Sequence, residues 1–338
     1  MGVNISDIVE RNKRSLEDFR DRIIAIDAYN TIYQFLASIR MEDGSPLMDY
    51  QGRAVSHLSG LLNRNANLVK AGIRPVYVFD GEPPEFKQRV LQERKERKVK
   101  AKKDMEEALK RGDLETARTK AQQTSRITDD IIDSGKSLLE YLGIPVVQAP
   151  GEGEAQASFM AMRNDVWAAG SQDFDSILFG APRLVRNITS SGRRKLPRQN
   201  RYINVEPEEI SLQEVLDNLD VSREQLIDIG ILIGTDYNEG IKGVGPKTAL
   251  KLIKEHGTLE KVLEVRSAEI ENHEAIQGLF LNPKTTSDYE LVWKDVDEEA
   301  VKRLMCDTHG FSEDRVSRSL EKFIEVKKAK AQMTLDQW

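Results

Sequence analysis

Two short apolar runs that each end in an acid, Arg22-Ile23-Ile24-Ala25-Ile26-Asp27 and Arg74-Pro75-Val76-Tyr77-Val78-Phe79-Asp80, constrain the fold more than any other feature of the chain. Runs this short, apolar throughout rather than alternating, suit strands buried on both faces, and such strands occur in parallel sheets covered by helices. Ile144-Pro145-Val146-Val147-Gln148 and Val166-Trp167-Ala168-Ala169 have the same design, each followed within a few residues by a pair of acids. Helical stretches over 31–40, 57–70, 129–142 and 155–163 lie between them. This alternation predicts an α/β fold, a mainly parallel central sheet flanked by helices.

A chain of 338 residues suggests roughly two folding units and a full apolar core. No apolar run approaches the roughly 18 residues of a membrane span, and charged residues follow the opening Met1-Gly2-Val3-Asn4-Ile5-Ser6. No membrane partner is expected. The single cysteine, Cys306, cannot form an internal disulfide, which suits a reducing interior, and the four histidines show no zinc-ligand spacing.

The formal net charge of −6 argues against a polyanionic partner, but its distribution does not. Residues 87–103 hold nine basic side chains against two acids, and 183–201 hold seven with no acid. A third block covers 242–254. One block is an ordinary solvated face; three favour phosphate, because each Lys or Arg that meets one releases condensed counterions. Between 92 and 104 only Val99 and Ala101 are apolar, so a helical stretch there has no face to bury and should project as an arch over about 84–130.

Seven carboxylates stand at or just beyond the expected strand ends: Asp27, Asp80, Glu152, Glu154, Asp173, Asp175 and Asp236. In open α/β sheets the ligand crevice lies beyond the carboxyl ends of the strands, so these segments should converge. A lone strand-end Asp is ordinarily a turn or cap residue; four ends sharing the feature is a different matter. Like charges about 4 Å apart repel by about 4 kcal/mol at an effective dielectric of 20, so the cluster needs cations. All-oxygen ligands select Mg²⁺, with Mn²⁺ able to substitute, and this many can hold two ions for phosphoryl displacement. Without these seven acids the rest of the chain is net +1, so the acidic average is largely this cluster. Lys87 and Arg94, seven residues apart on the helix expected after Asp80, share a face and are the candidate catalytic bases for the scissile phosphate.

Ser222-Arg223-Glu224-Gln225 reads as a capping box opening one helix, and a second follows Gly245-Pro246. The intervening Gly240-Ile241-Lys242-Gly243-Val244-Gly245 is a helix-hairpin-helix signal, in which Gly243 and Gly245 let the backbone approach phosphate while Lys242 and Lys247 meet it.

These stretches resemble the flap endonucleases, most closely their archaeal members, over nearly the whole chain. The likeness is carried by Gly2, Ile26-Asp27-Ala28 with Tyr33, Val78-Phe79-Asp80-Gly81 with Pro83-Pro84, Ala149-Pro150 with Glu152-Gly153-Glu154-Ala155-Gln156-Ala157, Ser171-Gln172-Asp173-Phe174-Asp175-Ser176, and Gly234-Thr235-Asp236-Tyr237. The resemblance implies a Mg²⁺-dependent 5′ nuclease acting on branched DNA with a 5′ flap, as endonuclease and 5′–3′ exonuclease, in replication and repair. Its metal ligands match all seven acids and its phosphate-steering bases match Lys87 and Arg94. It further implies that Tyr33 stacks on a nucleobase, that Gly2 lies near the active site, that the hairpin holds K⁺, and that a flap passes the arch. The family's sliding-clamp box matches Gln332, Leu335 and Trp338, although the chain stops before a second aromatic. The implied organisation is a nuclease core over 1–260, with the hairpin element at about 222–256, accessory helices over 261–326 and a clamp-binding tail over 327–338, in a cytoplasmic, nucleoid-associated monomer.

Three other readings compete. A phosphatase with a strand-end Asp nucleophile wants a second Asp two residues on, where this chain has Tyr29. A small ribonuclease domain needs neither arch nor hairpin. A DNA-binding scaffold leaves the acidic cluster without purpose.

Overall fold

The structure, a computed structural model, describes residues 2–41, 45–84, 87, 96, 99–101, 103–108, 110–113, 116, 120, 127–195 and 202–335. Among these are nine strands: β1 (Asn12–Lys13), β2 (Ile23–Asp27), β3 (Arg74–Phe79), β4 (Val146–Gln148), β5 (Ala168–Gly170), β6 (Arg183–Arg186), β7 (Gly192–Lys195), β8 (Tyr202–Val205) and β9 (Glu208–Ser211). Seven form one sheet in the order β1-β9-β6-β5-β2-β3-β4, and β7 and β8 pair separately. Strands β4, β3, β2, β5 and β6 are parallel, with Ile24 opposite both Pro75 and Ala168. Strands β9 and β1 extend one edge antiparallel.

Alternate residues of the central strands enter different cores, as the period of two requires. Ile24, Ile26, Tyr77 and Phe79 pack against Ile32 and Phe35 of the helix Ala28–Ser38, Leu58 and Leu61 of Ser56–Lys70, and Leu138 of Asp129–Tyr141. Ala25, Val76 and Val78 face the other way, onto Ala157, Met160 and Ala161 of the helix Gly153–Met162. The uninterrupted apolar runs are thus explained by helices on both sides of the sheet.

From β2 the chain steps outward to β3 and β4, then crosses β2 to form β5 and β6 on its other side. The direction of winding therefore reverses between β2 and β5, the point at which an open α/β sheet leaves a crevice beyond its carboxyl ends.

The four strands expected to end near acids and the four helices expected between them are present, with bounds shifted by a few residues. Strands β6 and β9 carry a weaker signal: Leu184, Val185 and Ile210 are buried, while charged residues flank them. Arg183 and Arg186 of the basic 183–201 block thus belong to β6. Arg186 lies in the sheet, donating to Glu208 Oε2 and to the Gln172 carbonyl at 3.0 Å each, so its charge is already compensated.

A third core joins the N-terminal segment, through Val3, Ile5 and Val9, to the helices Arg223–Ile233, Pro246–His256, Leu259–Arg266 and His273–Leu281. The final helix, Glu313–Leu335, lies along Ser56–Lys70; Val316, Leu320 and Phe323 enter the first core, and Lys322 Nζ donates to Asn67 Oδ1 at 2.8 Å. No helix among the described residues is long and apolar enough to cross a membrane.

Candidate metal centre

Asp27 ends β2 and also caps the helix Ala28–Ser38, its Oδ1 accepting from the Asn30 main-chain N–H at 3.0 Å. Capping satisfies an otherwise orphaned helix donor and fixes the carboxylate at the sheet's edge. Asp80 follows β3 and accepts from Gly153 N–H at 2.7 Å. That approach requires a glycine, since a Cβ on residue 153 would lie 2.6 Å from Asp80 Oδ1. Glu152 is the N-cap residue of Gly153–Met162 and Glu154 lies in its first turn. Lys87 Nζ stands 2.5 Å from Glu152 Oε2, with both side chains largely buried.

Beyond β5, the Ser171 hydroxyl donates a short hydrogen bond to Glu154 Oε1 and accepts from Asp173 N–H at 3.2 Å. Asp173 Oδ2 accepts from the side-chain amide of Asn30 at 2.8 Å, and Asp175 Oδ1 from Val3 N–H at 2.7 Å. Gly2 lies beside that last carboxylate, where a Cβ would approach Asp175 Oδ1 to 2.6 Å. Asp236 sits in the loop after Arg223–Ile233. Asn238 pins this loop by donating to the Ile231 carbonyl at 2.8 Å, and the buried Tyr237 ring packs edge-on to Phe280 at 5.5 Å. From there the Asp236 charge acts on Asp175, Asp80 and Lys87.

Burial raises the carboxyl pKa values of Asp27, Asp80, Glu154 and Asp175, and repulsion from neighbouring acids raises them further. Asp27 is held well above the usual carboxylate range by burial and then by Asp80, and Glu154 by burial and then by Asp175. Asp80 is pushed up to about 6 by burial and Glu152, and Asp175 to about 7 by burial and Asp236. Burial alone would lower the Lys87 ammonium, but Glu152 beside it carries its pKa above the usual value. The seven acids predicted from the chain are therefore brought within electrostatic reach of one another, and the pocket stores repulsion that a cation relieves.

The donor set suits a hard divalent ion. Among the described residues no group of three or more His, Cys, Asp or Glu side chains forms a ready-made cage. Mg²⁺ does not need one, because it keeps several waters and binds through one or two carboxylates. Asp27, Asp80, Glu152, Glu154, Asp173 and Asp175 each have one oxygen held by a donor from the protein. Such outer contacts orient ligating oxygens.

Other predicted site residues lie elsewhere. Tyr33 is on the helix capped by Asp27 and 37% exposed. Lys242, Gly243, Gly245 and Lys247 belong to the turn and first residues preceding and opening Pro246–His256, with both lysines exposed and Gly243 at φ +81°. They take no part in the carboxylate contacts above. The Ser222–Gln225 capping box is present in both directions. Gln332 and Leu335 fall in the last turns of Glu313–Leu335. Arg94, most of the expected arch and Trp338 lie outside the described residues.

Sequence reasoning did not assign the donors. Asn30, Ser171, Val3 and Gly153 orient acids from other segments, and only Asn30 carried a local signal, at the third position after a capping Asp.

A model of the XPG N-terminal domain matches residues 1–101, and one of the XPG I-region matches 143–236. Asp27 and Asp80 fall in the first span and the other five acids in the second. Flap endonuclease 1 of Thermococcus onnurineus is 51% identical over 339 residues, covering 100% of this chain and 99% of that protein. Flap endonuclease 1 of Archaeoglobus fulgidus is 50% identical with both chains covered to 100%. The solved flap endonuclease-1 from Methanococcus jannaschii superposes with a TM-score of 0.77 at 41% identity, over 97% of this chain and 100% of that one.

Proposed function

The chain belongs to the flap endonuclease family, the structure-specific nucleases that hydrolyse DNA phosphodiesters at 5′ flaps, and we propose that Asp27, Asp80, Glu152, Glu154, Asp173, Asp175 and Asp236 hold its divalent ions. The observation that carries this assignment is that six of these acids each have one oxygen held by a protein donor in one pocket, where burial and neighbouring acids raise the carboxyl pKa values of Asp27, Asp80, Glu154 and Asp175. Two Mg²⁺ ions bound there, or Mn²⁺ in their place, supply a nucleophile at neutral pH and stabilise the leaving oxygen.

The chain's own groups do the rest. Donors from Gly153, Ser171 and Val3 hold the carboxylates in place before substrate arrives. Lys87, now on Glu152, is within the same pocket to meet the scissile phosphate as negative charge grows on it, and Arg94 has the same role. The exposed ring of Tyr33 supports the nucleobase next to that phosphate. The turn containing Lys242, Gly243, Gly245 and Lys247 binds duplex backbone, with K⁺ as its ion. Gln332, Leu335 and Trp338 dock on a sliding clamp. The substrate is branched DNA with a 5′ flap, and the working unit is a monomer.

Cleavage of an end-labelled flap substrate, with single-stranded and intact-duplex controls, tests the assignment. Asp173→Ala should abolish cleavage in Mg²⁺ while flap binding stays within about tenfold, or about 1.4 kcal/mol. Undiminished turnover in that variant would contradict the metal assignment.

A further inference from the structure

Asn30 joins the two strand ends between which the sheet reverses direction. Its main-chain N–H holds Asp27 Oδ1 at 3.0 Å, and its side-chain amide donates to Asp173 Oδ2 at 2.8 Å, 143 positions away in sequence. The amide NH₂ faces the carboxylate, with Asn30 Nδ2 as donor and Asp173 Oδ2 as acceptor. One residue on the first turn of Ala28–Ser38 thereby sets the spacing of an acid at the end of β2 relative to one beyond β5. Asp27 repels Asp173, and an extra donor to the second of them offsets part of that repulsion. The side chain belongs to none of the acids and bases assigned above.

We propose that Asn30 is a positioning residue of the metal centre: through its side-chain amide it fixes one oxygen of Asp173, leaving the other oriented toward the pocket that would hold a divalent ion. The inference rests on the metal reading above. The residue's two contacts separate cleanly by mutation, since every substitution other than proline keeps the main-chain N–H and with it the Asp27 cap. Asn30→Leu removes the amide while keeping the number and branching of the side-chain heavy atoms. Loss of an outer contact to a metal ligand typically lowers metal affinity by about 10–100-fold.

The test is calorimetric titration of Mn²⁺ into the metal-free full-length chain, in parallel with flap binding in Ca²⁺. Asn30→Leu should weaken Mn²⁺ binding by about tenfold or more while flap affinity changes less than about threefold. Asn30→His, whose Nδ1–H can replace the amide donor, should recover part of the loss. In an Asp173→Asn background the Asn30→Leu change should have no further effect on Mn²⁺ affinity. Parent-like Mn²⁺ affinity in Asn30→Leu, with affinity lost in Asp173→Ala, would overturn the role of Asn30 and leave the metal reading standing. Parent-like affinity in Asp173→Ala as well would overturn the metal reading itself. Should Asn30→Leu fail to fold, Asn30→Ser, shorter but helix-compatible, carries the same expectation.

Discussion

At residue 2 the chain has no room for a side chain. A Cβ there would come within 2.6–2.7 Å of Asp175 Oδ1, Cγ and Oδ2, so Gly2→Ala must displace that carboxylate or the N-terminal segment. Val3 donates to the same Oδ1, which makes the start of the chain part of the pocket's wall. Gly2→Ala is therefore expected to lower the single-turnover cleavage rate at saturating DNA and metal by at least tenfold, with a smaller effect on flap affinity; quench-flow and binding titrations separate the two. Lys87 poses a related question. It neutralises Glu152 at 2.5 Å, and its proposed work is on the phosphate in the transition state. Lys87→Ala should then lower the single-turnover rate more than it raises the dissociation constant, and an effect confined to binding would reduce Lys87 to general electrostatics. The acids were legible in the sequence because each ends or follows a recognisable element. Their donors were not, because contacts such as Val3 to Asp175 span 172 positions and leave no local spacing.

The elements follow their local chemistry closely where the hydrophobic pattern is uniform. Strands β2 and β3 were legible from unbroken apolar runs, and the helix Arg223–Ile233 from a capping box whose Ser222 and Gln225 bonds both form. Strands β1, β6 and β9 were not, because a mixed antiparallel edge mingles Arg183, Arg186, Glu208 and Glu209 with a few buried aliphatics. The turn before Pro246–His256 is legible for a different reason. Gly243 adopts φ +81°, a conformation L side chains rarely take, and Gly245 precedes a proline at the helix start. If this turn holds duplex backbone, Lys242→Ala or Lys247→Ala should weaken binding about equally for unrelated duplex sequences and reduce the salt slope by about one phosphate's worth. Strong sequence dependence of the loss would contradict backbone recognition.

Across the whole molecule, the sheet places repelling acids in a buried crevice and thereby couples stability to metal and pH. Asp27, Asp80, Glu154 and Asp175 have folded-state pKa values above their unfolded ones, so the metal-free fold retains protons that the unfolded chain has released. Their effect is to lower stability as pH rises from about 4 through the folded values, of which about 6 for Asp80 and about 7 for Asp175 mark the window. His57 acts in the opposite sense at lower pH. Burial depresses its pKa to about 3, so stability from that group rises with pH until the unfolded imidazole, near 6.5, is also neutral. Above about pH 6.5 the acids are left to dominate. Asp80→Asn, which keeps an acceptor for Gly153 N–H and removes a charge, should raise metal-free stability at pH 8 by on the order of 2 kcal/mol. Cleavage by that variant should be lost.

Thermal unfolding of the full-length chain between pH 6.5 and 8, with chelator and with saturating Mg²⁺, tests the metal centre most directly. In chelator the unfolding temperature should fall as pH rises, and Mg²⁺ should remove most of that fall, stabilising more at pH 8 than at pH 6.5, where protons compete for the same oxygens. A Mg²⁺ effect that is absent, or the same at both ends of the range, would contradict a divalent ion held by these acids.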